Sequence, residues 1–239
     1  MAGDRNKLPE QAATGAEVDA FLRKLAATPA VRPQPGRRGR LMFALDATAS
    51  RQSTWDQACH IQAEMFKETA TLGGLDIQLV FYRGYAECKA SAWFGSAADL
   101  LPHMTAVTCL GGKTQIGRIL KFAIAETKEQ KVNAVVFVGD CMEEDVDELC
   151  HKAGELGLLG VPVFLFHEGS DPKAADAFRQ IARLTHGAYC PFDASSARQL
   201  RELLSAVAVY AAGGRAALED YSRQTGGATL LLARQVAKS

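Results

Sequence analysis

The sequence lacks an excess of either charge: 27 Lys and Arg stand against 27 Asp and Glu. Capture of nucleic acid through its phosphates needs a basic face, so a net charge of zero argues against that class. No apolar run approaches the roughly 18–20 residues that a membrane-crossing helix requires. The opening segment, MAGDRNKLPEQAATGAEVD, holds no apolar stretch of the secretory-signal kind. Six cysteines (Cys59, Cys88, Cys109, Cys141, Cys150 and Cys190) are scattered without a C-x-x-C pair. In such a chain they read as reduced thiols rather than as a disulfide framework or a zinc cage. There is no internal repeat. Together these absences predict a cytoplasmic protein with neither nucleic acid nor membrane as partner. What is present is a 48% hydrophobic composition over 239 residues, enough apolar material for a full core.

Along the chain, residues 1–39 read as an N-terminal helix and a linker. Val18, Phe21, Leu22 and Leu25 recur at helical spacing, and ATPAVRPQPGRRGR then ends the helix with prolines and glycines. Its arginines could serve a phosphate or an acidic partner, but short basic runs are commonly solvated, so a connector is expected. From residue 40 to about 212 the pattern alternates. Leu41–Leu45, Ile77–Tyr82, Ala134–Val138 and Val161–Phe166 are short apolar runs, as in strands buried on both faces. Glu87–Phe94 alternates in the manner of an edge strand with one wet face, and a short last strand is expected near Ala188–Cys190. Helices are predicted between them, one capped by Ser53 or Thr54. Pro162 inside its strand keeps that residue off a fully paired position. Residues 213–239 form a tail that the pattern does not place.

Buried strands alternating with helices predict a doubly wound α/β domain. Its sheet is mostly parallel with one antiparallel edge strand, and helices cover both faces. In such sheets the functional crevice lies beyond the carboxyl ends of the central strands, so the residues just after each strand matter most. The first strand ends in Asp46-Ala-Thr48-Ala-Ser50, and the strand at 134–138 is followed by Gly139-Asp140. The loop Leu110-Gly-Gly-Lys-Thr114 places a hydroxyl before a helix. Residues 46, 48 and 50 project to one side if the chain stays extended there. These oxygen-bearing side chains from three loops suit Mg²⁺ or Mn²⁺ rather than zinc or copper.

In this order, Asp46-x-Thr48-x-Ser50, Thr114 after Gly111-Gly112, and Asp140 after an apolar strand resemble the metal-ion-dependent adhesion site (MIDAS) of von Willebrand factor A domains. The resemblance covers residues 40–212, because Phe178–Tyr189 also resembles the helix, glycine turn and last strand of that fold. It implies Thr48, Ser50 and Thr114 as hydroxyl ligands, with Asp46 and Asp140 acting largely through water. The sequence departs from the family pattern in having Thr48 for a serine, Gly139 for a threonine and Cys141 for a glycine. The implied function is a non-enzymatic interaction module that presents the metal to an Asp or Glu of a partner protein. Intracellular relatives often work beside ATPases, which makes an adaptor or assembly role the expectation.

Two other readings use the same residues. Gly112-Lys113-Thr114 resembles the end of a P-loop, with Lys113 on phosphates and Thr114 and Asp140 on Mg²⁺ in a nucleotide-binding NTPase. That spacing requires glycine where Val107 stands, and a buried strand before the loop. A phosphatase with Asp46 as nucleophile would want an acid two residues on, where Thr48 stands. Hydrolysis also needs a general base, and His60, His167 and His186 are expected as surface or packing residues outside the three loops. The acids Glu143, Glu144 and Asp145 are expected to favour the start of their own helix.

Overall fold

In β1 (Gly39–Asp46), Leu41, Phe43 and Leu45 are buried on one face of the sheet and Met42 and Ala44 on the other. This two-sided burial turns an apolar run into a central strand. The computed structural model describes residues 38–192 and 197–225, with Ala20, Phe21, Arg23, Lys24, Leu25 and Ala27. The predicted contributions of Val18 and Leu22, the linker at 28–37 and the segment with Gly226, Gly227 and Leu230–Leu232 lie outside the described residues.

The chain continues through β2 (Leu75–Arg83), β3 (Glu87–Phe94), β4 (Ala134–Gly139), β5 (Val163–Glu168) and β6 (Ala188–Phe192). The sheet order is β3-β2-β1-β4-β5-β6, with β3 antiparallel to β2 at one edge and the other pairings parallel. Pairing runs in register from Leu41 opposite Ala134 to Leu45 opposite Val138, which sets the ends of β1 and β4 side by side. Chain direction switches here, since β2 lies on one side of β1 and β4 on the other.

Helices α1 (Gln52–Thr69), α2 (Ala97–Thr105) and α6 (Ala197–Thr225) cover one face, joined by Phe21 and Leu25. Helices α3 (Ile116–Glu129), α4 (Val146–Leu158) and α5 (Pro172–Leu184) cover the other. The doubly wound α/β architecture expected from the sequence is the one found. No helix among the described residues is long and apolar enough to cross a membrane.

Three local expectations need correction. Pro162 precedes β5 instead of interrupting it, and its carbonyl accepts a bond from Val135 N at 3.0 Å. Ser53 and Thr54 lie inside α1, which is entered from a 3₁₀ turn at Ala49–Arg51 without a side-chain cap. Residues 213–225, expected in the C-terminal tail, continue helix α6, which is kinked at Gly214, where φ is 69°. Two of the linker-side arginines are held within the fold. Arg38 bonds Asp76, Leu75 O and Gly95 O, and buried Arg40 bonds Gln130 O and lies 3.8 Å from the centre of the Trp93 ring.

Candidate functional site

Asp46 closes β1 almost wholly buried, so its carboxylate must be satisfied from within. Oδ1 accepts Thr48 N at 2.7 Å, and Oδ2 accepts the Tyr82 hydroxyl at 2.9 Å. Burial raises the pKa of this acid, opposed by bonds from Thr48 and Tyr82 and reinforced by the nearby Asp140 charge. Tyr82 is pushed well above its ordinary pKa, first by burial and then by the Asp46 charge. It therefore stays a donor. Its ring stacks on Phe137 of β4 at 6.3 Å, tying the two neighbours of β1 together.

Past Asp46 the chain stays extended only as far as Thr48 and then enters the 3₁₀ turn, where Arg51 N donates to Thr48 O at 2.9 Å. Ser50 therefore reaches the site by turning, contrary to the expected straight projection of residues 46, 48 and 50. Its hydroxyl donates to Asp140 Oδ2 at 3.1 Å. One oxygen each of Asp46 and Asp140 and the Cys141 sulfur lie within 4.8 Å of one another. Burial, followed by the Asp140 charge, pushes the Cys141 thiol up to about 12. Asp140 Oδ1 is buried without an aligned hydrogen-bond partner.

The structure thus gathers Asp46, Thr48, Ser50 and Asp140. Thr114 is tied to Glu143 instead of to either aspartate. Thr114 Oγ1 accepts Glu143 N at 3.0 Å, and Thr114 N donates to Glu143 Oε2 at 3.3 Å. Its loop is seated on the β2–β3 turn, where a Cβ on Gly112 would lie 1.9 Å from Gly84 O. The chain enters this loop from α2 rather than from a strand. Lys113 N is spent on Gly84 O at 3.1 Å, and a phosphate at Thr114 N would meet the Glu143 carboxylate. Both features work against the P-loop reading. The Gly139 departure also has a local cause: a Cβ there would lie 2.7 Å from the Phe137 ring.

The acidic stretch after Asp140 acts differently from the expectation that it serves its own helix. Only Asp145 caps α4, accepting Glu148 N at 3.0 Å. Glu144 reaches across to the start of α3, accepting Ile116 N at 2.5 Å and Gly117 N at 2.9 Å. His167 is buried, with Nε2 3.0 Å from Asp140 O and Nδ1 2.9 Å from the Tyr189 hydroxyl. A carbonyl can only accept, so Nε2 carries the proton and Nδ1 accepts from Tyr189. Burial lowers the pKa of this imidazole.

Sequence reasoning missed Arg51, Glu168 and Thr54 beside the site. Arg51 Nη2 lies 3.1 Å from Asp140 Oδ2, while Nη1 forms an ion pair with Glu168, which also accepts the Thr54 hydroxyl. Only the position of Glu168 at the end of an apolar strand could have singled it out. Cys141, one of the departures from the family pattern, is a member of the cluster.

No family model matches the chain, and no curated protein matches it. Solved structures do. The SpRpn10 VWA domain aligns with a TM-score of 0.56 at 13% identity, over 75% of this chain and 98% of that one. Proximal thread matrix protein 1 from the mussel byssus, with a zinc-occupied MIDAS motif, aligns with a TM-score of 0.58 at 18% identity. That match covers 72% of this chain and 46% of the byssus protein. The PilB minor pilin from Streptococcus sanguinis aligns with a TM-score of 0.53 at 11% identity, over 74% of this chain and 62% of the pilin. This chain therefore spans less than two thirds of the byssus protein and of the pilin. The likeness establishes a von Willebrand factor A-like α/β fold.

Proposed function

We propose that this protein is an intracellular, non-enzymatic interaction module that binds Mg²⁺ or Mn²⁺ and, through it, a carboxylate of a partner protein. Asp46, Thr48, Ser50 and Asp140 would hold the ion, and Thr114 would join them through the free lone pair of the hydroxyl that accepts Glu143 N. The observation that carries this reading is the buried Asp140 Oδ1, which lacks an aligned hydrogen-bond partner, in a carboxylate that approaches Asp46 at the switch point of the sheet. Two acids this close repel one another, and a divalent cation between them would relieve the part of that repulsion that Arg51, paired with Asp140, leaves. Oxygen donors outnumber the single sulfur of Cys141, which favours a hard ion. The zinc-occupied MIDAS motif of the byssus protein supports metal binding on this fold and leaves the choice of ion to the donor set.

Bound there, the ion supplies a strong attraction for an anionic oxygen. The chain's own residues do the rest: hydroxyls add no charge, so the site keeps affinity for an incoming Asp or Glu. Both ring nitrogens of His167 are engaged, which supports binding without hydrolysis. The six free thiols fit a reducing compartment, the cytoplasm in our reading. An adaptor or assembly role, beside an ATPase, follows from the resemblance.

Calorimetric titration with Mg²⁺ and Mn²⁺ tests the site. Asp140→Asn and Asp46→Asn are expected to weaken binding at least about tenfold, the factor carried by ~1.4 kcal/mol, with the fold retained. The amide is the better choice at Asp46, because alanine would orphan Tyr82 Oη and Thr48 N. Unchanged affinity in both variants rejects the reading. A pull-down with and without chelator then tests for a metal-dependent partner.

A further inference from the structure

Three acids mark the carboxyl ends of three adjoining parallel strands: Asp46 ends β1, Asp140 follows β4 and Glu168 ends β5. Among them lies Arg51, at the end of the 3₁₀ turn that leads into α1. Its side chain is 10% exposed, against 21% for Asp140 and 9% for Glu168. The guanidinium divides itself between two acids, with Nη2 on Asp140 Oδ2 and Nη1 on Glu168. Its Nε lies 3.3 Å from Ser50 Oγ, the hydroxyl that also bonds Asp140. The Thr54 hydroxyl secures Glu168 from the first turn of α1. Glu143 and Glu144 face the amides of Thr114, Ile116 and Gly117, which leaves Arg51 to serve Asp140 and Glu168.

We infer that Arg51 is the resident counter-ion of this site, and that its pairing with Glu168 sets how strongly the site attracts a divalent cation; the inference rests on the cation reading above. A guanidinium does not lose its proton in proteins, so its charge is permanent. In the metal-free protein it offsets part of the repulsion between Asp46 and Asp140. Toward an arriving cation it is a competitor for Asp140. Glu168 draws part of that charge away and holds the guanidinium to one side. Three carboxylates against one guanidinium leave two negative charges, the complement of a divalent ion.

The two partners therefore act on cation affinity with opposite sign, which a pair that merely braces the fold would not do. With Mn²⁺ alone as probe in calorimetry on the full chain, Arg51→Met is expected to bind at least about tenfold tighter than the unsubstituted protein. Glu168→Gln is expected to bind at least about tenfold weaker, since the guanidinium then falls wholly to Asp140. The double variant restores two negative charges and returns affinity to within about threefold of the unsubstituted protein. In chelator, Asp140→Asn added to Arg51→Met raises the melting temperature, because it removes the unshielded like-charge pair.

Single variants that shift affinity in the same direction, or a double variant that sums their losses, overturn the inference. If the unsubstituted protein binds Mn²⁺ and Arg51→Met binds it equally, the inference falls and the cation reading stands. If only Arg51→Met binds, Arg51 takes the place of the ion; the inference stands and the cation reading fails for the native chain. If neither binds, both fall. Should Arg51→Met not fold, Glu168→Gln with Arg51→Lys decides. Lysine keeps the charge, so binding that Glu168→Gln weakens in both the native and the Arg51→Lys background supports the inference, and binding that Glu168→Gln leaves unchanged in either background overturns it.

Discussion

At the scale of single residues, Glu87 on the edge strand offers a direct electrostatic test. It accepts Arg83 Nε at 2.9 Å and lies 2.7 Å from Lys89 Nζ. Bonds from Arg83, then from Lys89, lower its carboxyl pKa from the ordinary 4.5 to about 2. A depressed acid stabilises the folded state above its unfolded pKa and loses that contribution as pH falls through the folded value. The window here runs from about 4.5 down to about 2. The group is partly exposed, at 26%, so salt screens it and the stability change is small. A carboxyl NMR titration is expected to place the Glu87 midpoint near 2 at low salt and higher in Arg83→Gln. A midpoint near 4.5 in both proteins would contradict the pairing.

At the scale of elements, a helix start leaves backbone amides without intrahelical acceptors, and α3 meets this need from outside itself. Its N-cap residue, Gln115, supplies no side-chain cap, while the Glu144 carboxylate takes Ile116 N and Gly117 N. The carboxylate also lies at the positive end of the helix dipole. Glu144→Ala is expected to cost about 1–2 kcal/mol, as loss of a cap does, measured as a lower urea midpoint with unchanged slope. Glu148→Ala, in the first turn of α4, serves as control: its side chain is 77% exposed, and it is expected to cost little. Local pattern did locate these helices, because apolar residues recur at the helical period on the faces that pack. It could not show that Glu144 serves α3, since that bond spans 28 residues and depends on two loops meeting. The same limit hid the role of Thr54, which by type and position suggested a cap but donates to Glu168, 114 residues away.

On the scale of the whole molecule, Phe21 joins a segment outside the sheet to the core that supports the site. Its ring is 1% exposed, with ring centres 5.3 Å from Phe166 and 6.2 Å from Phe164 on β5, the strand that ends in Glu168. Edge-to-face aromatic packing of this kind adds to the burial of apolar surface. Phe21→Ala is expected to destabilise the fold by about 3–5 kcal/mol, the usual cost of emptying a buried aromatic site, read from chemical denaturation. A loss below about 0.5 kcal/mol, the level of a typical surface change, would show that this segment does not brace the sheet.

What the sequence by itself determined was the alternation of strands and helices. A strand buried on both faces must be apolar throughout, and a packed helix must repeat its apolar residues each turn; both signals are local. It also placed Asp46 and Asp140 at strand ends, where an α/β sheet opens its crevice. Only the tertiary structure decided which side chains meet there. Ser50 and Asp140 are 90 residues apart in the chain, and their contact with Arg51, which in turn pairs with Glu168, depends on strand order, register and the 3₁₀ turn. Charges that balance one another at such separations leave no periodic trace, because what pairs them is the packing of one sheet and not the spacing of residues along it.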